Sequence, residues 1–181
     1  MPWWFAVVES EHELQNPTSA DKIRLLGNRL RLGPGSHVLD VASGKAGPAI
    51  VLAREFGCRI TCVERAAEFH EEAVERVRAA GLERLIELVH GDAAAFPIEE
   101  GRWDAAMCLG ASFVWGGLAG TLAAMTPAAA KPQAQIIIPS PTHSPARNGI
   151  LNRVRNPACP TPSTPSVLTL FHARSTLLTS A

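Results

Sequence analysis

The 181 residues carry 17 Lys and Arg against 17 Asp and Glu, a formal charge of zero, and an apolar content of 46% excludes a wholly disordered chain. The charge is unevenly spread: every acid lies between Glu9 and Asp104, so residues 1–126 have a net charge of −5 and the remaining 55 a net charge of +5. Nine of the 14 prolines lie at or beyond Pro127, which marks two unlike pieces of chain. No run of about 18 apolar residues exists, so a spanning helix is not expected. The Met1 to Val8 start lacks a basic n-region and a cleavage site, which predicts a cytoplasmic protein.

In chain order, Pro17-Thr18-Ser19-Ala20-Asp21 opens a helix with Thr18 as its cap and an apolar stripe of Ile23, Leu25, Leu26, Leu30 and Leu32, stopped by Gly33-Pro34-Gly35. His37 to Val41 reads as a strand, the small-residue segment Ala42 to Gly47 as a tight turn, and Pro48 to Phe56 as a helix. The pattern repeats. Arg59 to Val63, ending at Glu64, is a second strand, and Ala66 to Ala80 a helix with Gly81 beyond its end. Leu85 to Val89 and Trp103 to Leu109 supply a third and a fourth strand, Gly116 to Met125 a helix, and Gln135 to Ile138 a fifth strand. Parallel neighbours need crossover connections, so this alternation predicts an α/β, doubly wound, mostly parallel sheet covered on both faces.

After Ile138 the alternation ceases, because Pro139, Pro141, Pro145, Pro157, Pro160, Pro162 and Pro165 deny the donors that strands and helices require. Residues 1–138 are therefore expected to form the domain and 139–181 a basic, proline-rich, irregular tail. Short elements at Ile150 to Arg155 and Ser166 to Phe171 are the exceptions the composition allows.

In such a sheet, ligands bind beyond the carboxyl ends of the strands, where the strand order reverses. Strand one ends in Asp40 and runs into a turn whose small side chains admit a ligand to the backbone. Strand two ends in Glu64, about 20 residues after that turn, where a carboxylate can accept both hydroxyls of a ribose. Strand three ends near Asp92, which can read an adenine amino group. Each feature has a plainer reading: close helix–strand packing for Gly44 and Gly47, a solvated strand end for Glu64-Arg65, an ordinary turn for Gly91-Asp92. Three such features at three successive strand ends make coincidence the weaker account.

Val38-Leu39-Asp40-Val41-Ala42-Ser43-Gly44-Lys45-Ala46-Gly47-Pro48-Ala49, with Val63-Glu64, His90-Gly91-Asp92-Ala93 and Trp103-Asp104-Ala105-Ala106, resembles the class I S-adenosylmethionine-dependent methyltransferases over roughly residues 16–138. Within them the segment is most similar to the small-molecule branch that includes the ubiquinone/menaquinone-biosynthesis type. The resemblance implies a Rossmann-like fold, S-adenosyl-L-methionine as cofactor, and methyl transfer to a small-molecule acceptor. It implies a cofactor site of Asp40, Ala42, Gly44, Glu64, Arg65, Asp92, Ala93 and Leu109, with Asp40 and Gly44 at the methionine moiety and Gly110 beside Leu109 near the methyl donor. Two departures stand out. The family turn reads Asp-x-Gly-x-Gly-x-Gly, whereas Ala42 and Ala46 occupy its first and third glycine positions here. The family sheet also continues past strand five, so the fold is expected to be incomplete at its C-terminal edge, through truncation or a reading-frame change.

Phe113 and Trp115 follow strand four; core packing is expected for Phe113, and Trp115, beside Gly116-Gly117, is the better candidate for contact with the acceptor. Trp3, Trp4 and Phe5 add aromatic surface. None of His12, His37, His70 and His90 is assigned as a general base. Cys58, Cys62, Cys108 and Cys159 read as reduced thiols, and no metal site is expected, since no second Cys/His pair lies at ligand spacing. The basic tail has no concentrated patch, so neither nucleic acid nor membrane is an expected partner. Two alternatives remain: a non-catalytic or impaired cofactor-binding remnant, and an NAD-dependent oxidoreductase, which the incomplete glycine set and the absence of Tyr disfavour.

Overall fold

A computed structural model describes residues 18–129 and 134–138, with Leu14, Lys131 and the backbone of residues 170–172. Trp3, Trp4, Phe5, His12 and Cys159 lie outside the described residues, as do 139–169 and 173–181. The first helix, α1 (Ala20–Arg29), is capped by Ser19, whose extended backbone lets Oγ accept the Lys22 N–H at 3.3 Å. The predicted cap, Thr18, lies one residue outside. Ile23 and Leu26 are buried, whereas Leu25 is half exposed. It stands two residues from Ile23, on the opposite side of a 3.6-residue turn.

The chain continues through β1 (His37–Val41), α2 (Gly47–Phe56), β2 (Arg59–Glu64), α3 (Ala67–Ala79) and β3 (Ile86–His90). The third strand starts one residue later than predicted, because the Leu85 N–H is already donated to the Leu82 carbonyl in a turn. Strand β4 (Ala105–Met107) is shorter than its prediction. At its start the Asp104 carboxylate accepts the His37 N–H at 2.8 Å; beyond its end Gly110, at φ 85°, turns the chain away. A 3-10 turn (Ser112–Trp115) precedes α4 (Leu118–Met125), with a second 3-10 turn (Thr126–Ala129) and β5 (Gln135–Ile137) after it. Helix α4 begins later than predicted because Gly116 and Gly117, at φ 73° and 120°, hold backbone conformations that a helix excludes. Gly120 in turn abuts the Trp115 carbonyl so closely that a Cβ there would collide with it.

Strand order is β3-β2-β1-β4-β5, all parallel, and β6 (Leu170–His172) pairs antiparallel with β5. The first five strands and their helices form the Rossmann-like, doubly wound sheet that the alternation predicts. Alternate strand residues feed two cores: Val38, Ile60 and Cys62 pack against α1, α2 and α3, while Leu39, Val41 and Val63 join Trp103, Met125 and Ile136 on the other face. Burial on both faces explains why β1 and β2 are mostly apolar, with Asp40 and Thr61 as the buried polar residues within them. The order reverses at β1, with β2 on one side and β4 on the other, and this places the opening for a ligand above the carboxyl end of β1.

Candidate functional site

Asp40 lies in β1 at 1% exposure, and among the described residues its Oδ2 has no hydrogen-bond partner. Burial, reinforced by the charge of Glu64, raises its pKa well above the ordinary carboxyl range. A water-sized recess of about 30 Å³ opens beside it, walled by Ser43, Gly44, Gly47, Pro48 and Leu109. The turn above is tightly wound. Ala42, Gly44 and Ala46 all have positive φ, at 53°, 57° and 57°. The two alanines thus occupy the left-handed region, where a Cβ crowds the backbone.

Glu64, at the end of β2, is nearly buried, and both its oxygens are engaged by main chain: Oε2 accepts the Gly44 N–H and Oε1 the Ala66 N–H, each at 2.8 Å. The carboxylate therefore joins the β1–α2 turn to the start of α3. Asp92, just after β3, accepts the Ala94 N–H through Oδ1 at 2.9 Å, and its Oδ2 stands 3.7 Å from Arg65 Nη1. A cleft of about 260 Å³ brings these groups together. Ala42, Gly44, Glu64 and Arg65 form one wall, Asp92 and Ala93 a second, and Leu109 and Gly110 a third. Asp40 faces the adjoining recess, sharing Ala42, Gly44 and Leu109 with the cleft.

The two aromatic residues exchange the places expected of them. Phe113 is 70% exposed and lines the cleft, whereas Trp115 is half-buried against the second core and stands outside the lining. The reason is local: Gly120 and the 3-10 turn draw Trp115 down onto α4, which leaves Phe113 facing outward. Phe69 of α3, almost fully buried, also lines the cleft and was not foreseen. Lys45 is the other omission, a fully buried lysine in a turn of small residues. Its presence between Gly44 and Ala46 is the only trace it leaves in the sequence.

His37 sits at the opposite end of β1, with Nε2 2.9 Å from Thr61 Oγ1, and burial lowers its pKa. His70 and His90 stack with ring centroids 5.1 Å apart, and His90 Nε2 lies 3.1 Å from the Arg65 carbonyl oxygen. Burial pushes the Cys58 thiol up to about 11 and Cys108 up to about 12, and raises Cys62 well above its usual range, so none offers a thiolate at neutral pH. Among the described residues, no three His, Cys, Asp or Glu are grouped to hold a metal ion. None of the described helices is long and apolar enough to cross a membrane.

Residues 38–130 match the methyltransferase domain family, and the chain belongs to it. Among individual relatives, the uncharacterised protein YjhP of Escherichia coli is 34% identical over 120 residues, 66% of this chain and 48% of YjhP. A glycine/sarcosine/dimethylglycine N-methyltransferase of Actinopolyspora halophila is 30% identical over 82 residues, 45% of this chain and 14% of the relative. The solved structure of a methyltransferase from Thiobacillus denitrificans, in complex with S-adenosyl-L-homocysteine, superposes with a TM-score of 0.71 at 34% identity over 77% of this chain and 56% of that one. A methyltransferase from Geobacter sulfurreducens, also in complex with S-adenosyl-L-homocysteine, gives 0.71 at 31% identity over 77% and 55%. The chain spans about half the length of YjhP and of these solved structures.

Proposed function

We propose that the cleft binds S-adenosyl-L-methionine and that the protein transfers its methyl group to a small-molecule acceptor. The observation that carries this reading is the convergence of Asp40, Glu64 and Asp92, from three successive strand ends, on one cleft and its adjoining recess. The unpartnered Oδ2 of Asp40 fits the cofactor: a buried acceptor beside a small recess calls for a donor, which the ammonium of a methionine moiety provides. Glu64 fits as well. A carboxylate has about four acceptor sites, and the two main-chain bonds leave lone pairs for ribose hydroxyls. Asp92 and Ala93 offer a polar edge to adenine, Arg65 stands over the same edge, and Ala42 and Gly44 let the ligand approach the main chain. Leu109 flanks both recess and cleft, so it is assigned to the methyl-donor end.

The bound cofactor supplies an electrophilic methyl group on a sulfonium. The protein's share is alignment, which contributes about 7–11 kcal/mol when reactants are held in attack geometry, together with exclusion of water by Phe69, Leu109 and Phe113. The sequence of the domain resembles the quinone-biosynthesis type, and the exposed ring of Phe113 suits a planar apolar acceptor. Curated relatives instead carry the names of glycine and sarcosine methyltransferases.

Calorimetric titration of the purified chain tests the reading. S-adenosyl-L-homocysteine is expected to bind in the micromolar range typical of enzyme ligands, and NAD to give no heat. The reverse result would overturn it. A methylation assay with sarcosine and with a planar quinol then separates the two acceptor classes.

A further inference from the structure

Lys45 carries a role that the reading above leaves unassigned. Its side chain is 1% exposed, and Nζ lies 2.9 Å from Glu72 Oε2 on α3 and 5.8 Å from the ring centroid of Phe69, one turn earlier on that helix. Lysine is rarely buried unless paired, and a buried ion pair is weak as a source of stability alone. The main chain at Lys45 is unusual for a second reason. On one side stands Gly44, whose N–H is donated to Glu64; Ala42 and Ala46 flank the segment in left-handed conformations. Such strain persists only where the surroundings hold it. The turn itself has no side-chain cap at the start of α2. The Lys45–Glu72 ion pair spans from this turn to α3, the helix that supplies Phe69 to the cleft.

We infer that Lys45 is a positioning residue: its ammonium, tied to Glu72, straps the strained β1–α2 turn to α3 and so sets Gly44 and Glu64 for the ribose of the cofactor. The inference rests on the reading of the cleft as a cofactor site. It acts through the turn, not through contact with the reacting atoms. Glu72 is 40% exposed, so its neutralisation perturbs a helix surface and not a core.

The test compares Lys45→Met, Lys45→Arg, Glu72→Gln and the Lys45→Met/Glu72→Gln double variant in the full chain. Lys131→Met is the control, because it breaks an ion pair to Asp104 at the opposite end of the sheet. Two readouts are taken: calorimetric affinity for S-adenosyl-L-homocysteine, and amide hydrogen exchange at Gly44 without ligand. Lys45→Met is expected to weaken binding by about tenfold, the scale of one charge-assisted hydrogen bond. Lys45→Arg should recover part of the affinity. Glu72→Gln should reproduce part of the loss, and the double variant should add little to Lys45→Met, as expected of coupled partners. Gly44 exchange should quicken in Lys45→Met and Glu72→Gln but not in Lys131→Met. Wild-type affinity with unchanged Gly44 exchange in Glu72→Gln would overturn the inference, and that variant decides if Lys45→Met does not fold. Wild-type failure to bind S-adenosyl-L-homocysteine would instead overturn the cofactor reading, with the strap still judged by Gly44 exchange.

Discussion

At Asp40, what burial does to a carboxylate opposes what a ligand would ask of it. The group is fully buried, one oxygen lacks a partner, and Glu64 adds a like charge, so the protonated form is favoured in the folded state. Its pKa is raised above the unfolded value near 3.8, so the folded chain holds this proton more tightly than the unfolded chain does. Stability from this source is therefore greatest below that value and is lost as pH rises through the folded pKa. Asp40→Asn is expected to leave stability almost unchanged near pH 4 and to raise it at pH 8. A gain of roughly 1–3 kcal/mol is the scale for relieving a buried unpaired polar group. Urea unfolding of both proteins across that range checks this, because other titrating groups cancel in the difference. The same substitution should weaken S-adenosyl-L-homocysteine binding by removing the partner proposed for its ammonium, so stability and affinity move in opposite directions. A constant stability difference across pH would show that Asp40 stays ionised in the fold.

Among the elements, the β1–α2 turn is the most demanding piece of backbone. Ala42 and Ala46 stand where the resembling sequences carry glycine, and both have φ above 50°. An L-residue pays about 1–2 kcal/mol to sit in that region. Ala42→Gly and Ala46→Gly are each expected to stabilise the chain by up to about 1 kcal/mol, less than the full strain because glycine also frees the unfolded state. Thermal and urea unfolding measure it. A loss of stability at Ala46 would mean that its buried methyl group, packed between α2 and the first core, contributes more than the strain removes. The glycine pattern in the sequence located this turn, but not the sign of φ at the two alanines, which only the closed loop fixes. The strands were legible for a simpler reason: β1 and β2 are buried on both faces, so Val38, Leu39 and Val41, and Ile60, Cys62 and Val63, make short apolar runs broken only by the buried Asp40 and Thr61. Their ends were legible because Glu64 and Asp92 interrupt that pattern. Phe113 and Trp115 were misplaced because a 3-10 turn closing against Gly120 has no periodic signature. Lys45 escaped notice because its partner, Glu72, lies 27 residues away on a helix already rich in glutamate.

For the molecule as a whole, the join between its acidic and basic pieces falls on β5, and this strand decides how much of the chain the fold needs. Ile136 and Ile137 are buried, so β5 is core and not fringe. On one side it pairs with β4; on the other, Gln135, Ile136 and Ile137 face His172, Phe171 and Leu170 of β6. A chain ending at Ile138 would retain the domain boundary drawn from the sequence but expose the outer N–H and C=O groups of β5. An open edge of this kind pairs with other chains. Removing residues 139–181 is therefore expected to lower stability by on the order of a few kcal/mol, from the lost backbone hydrogen bonds between β5 and β6 at about 0.5–1.5 kcal/mol each. It should also produce concentration-dependent association in light scattering. S-adenosyl-L-homocysteine affinity should be unchanged, because every group proposed for the cofactor lies between Asp40 and Gly110. A shortened chain that stays monomeric and melts as the full chain does would place the folding unit within residues 1–138 and leave β6 without a role in the sheet. A shortened chain that loses S-adenosyl-L-homocysteine binding while still folding would mean that the segment after Ile138 contributes to the cleft.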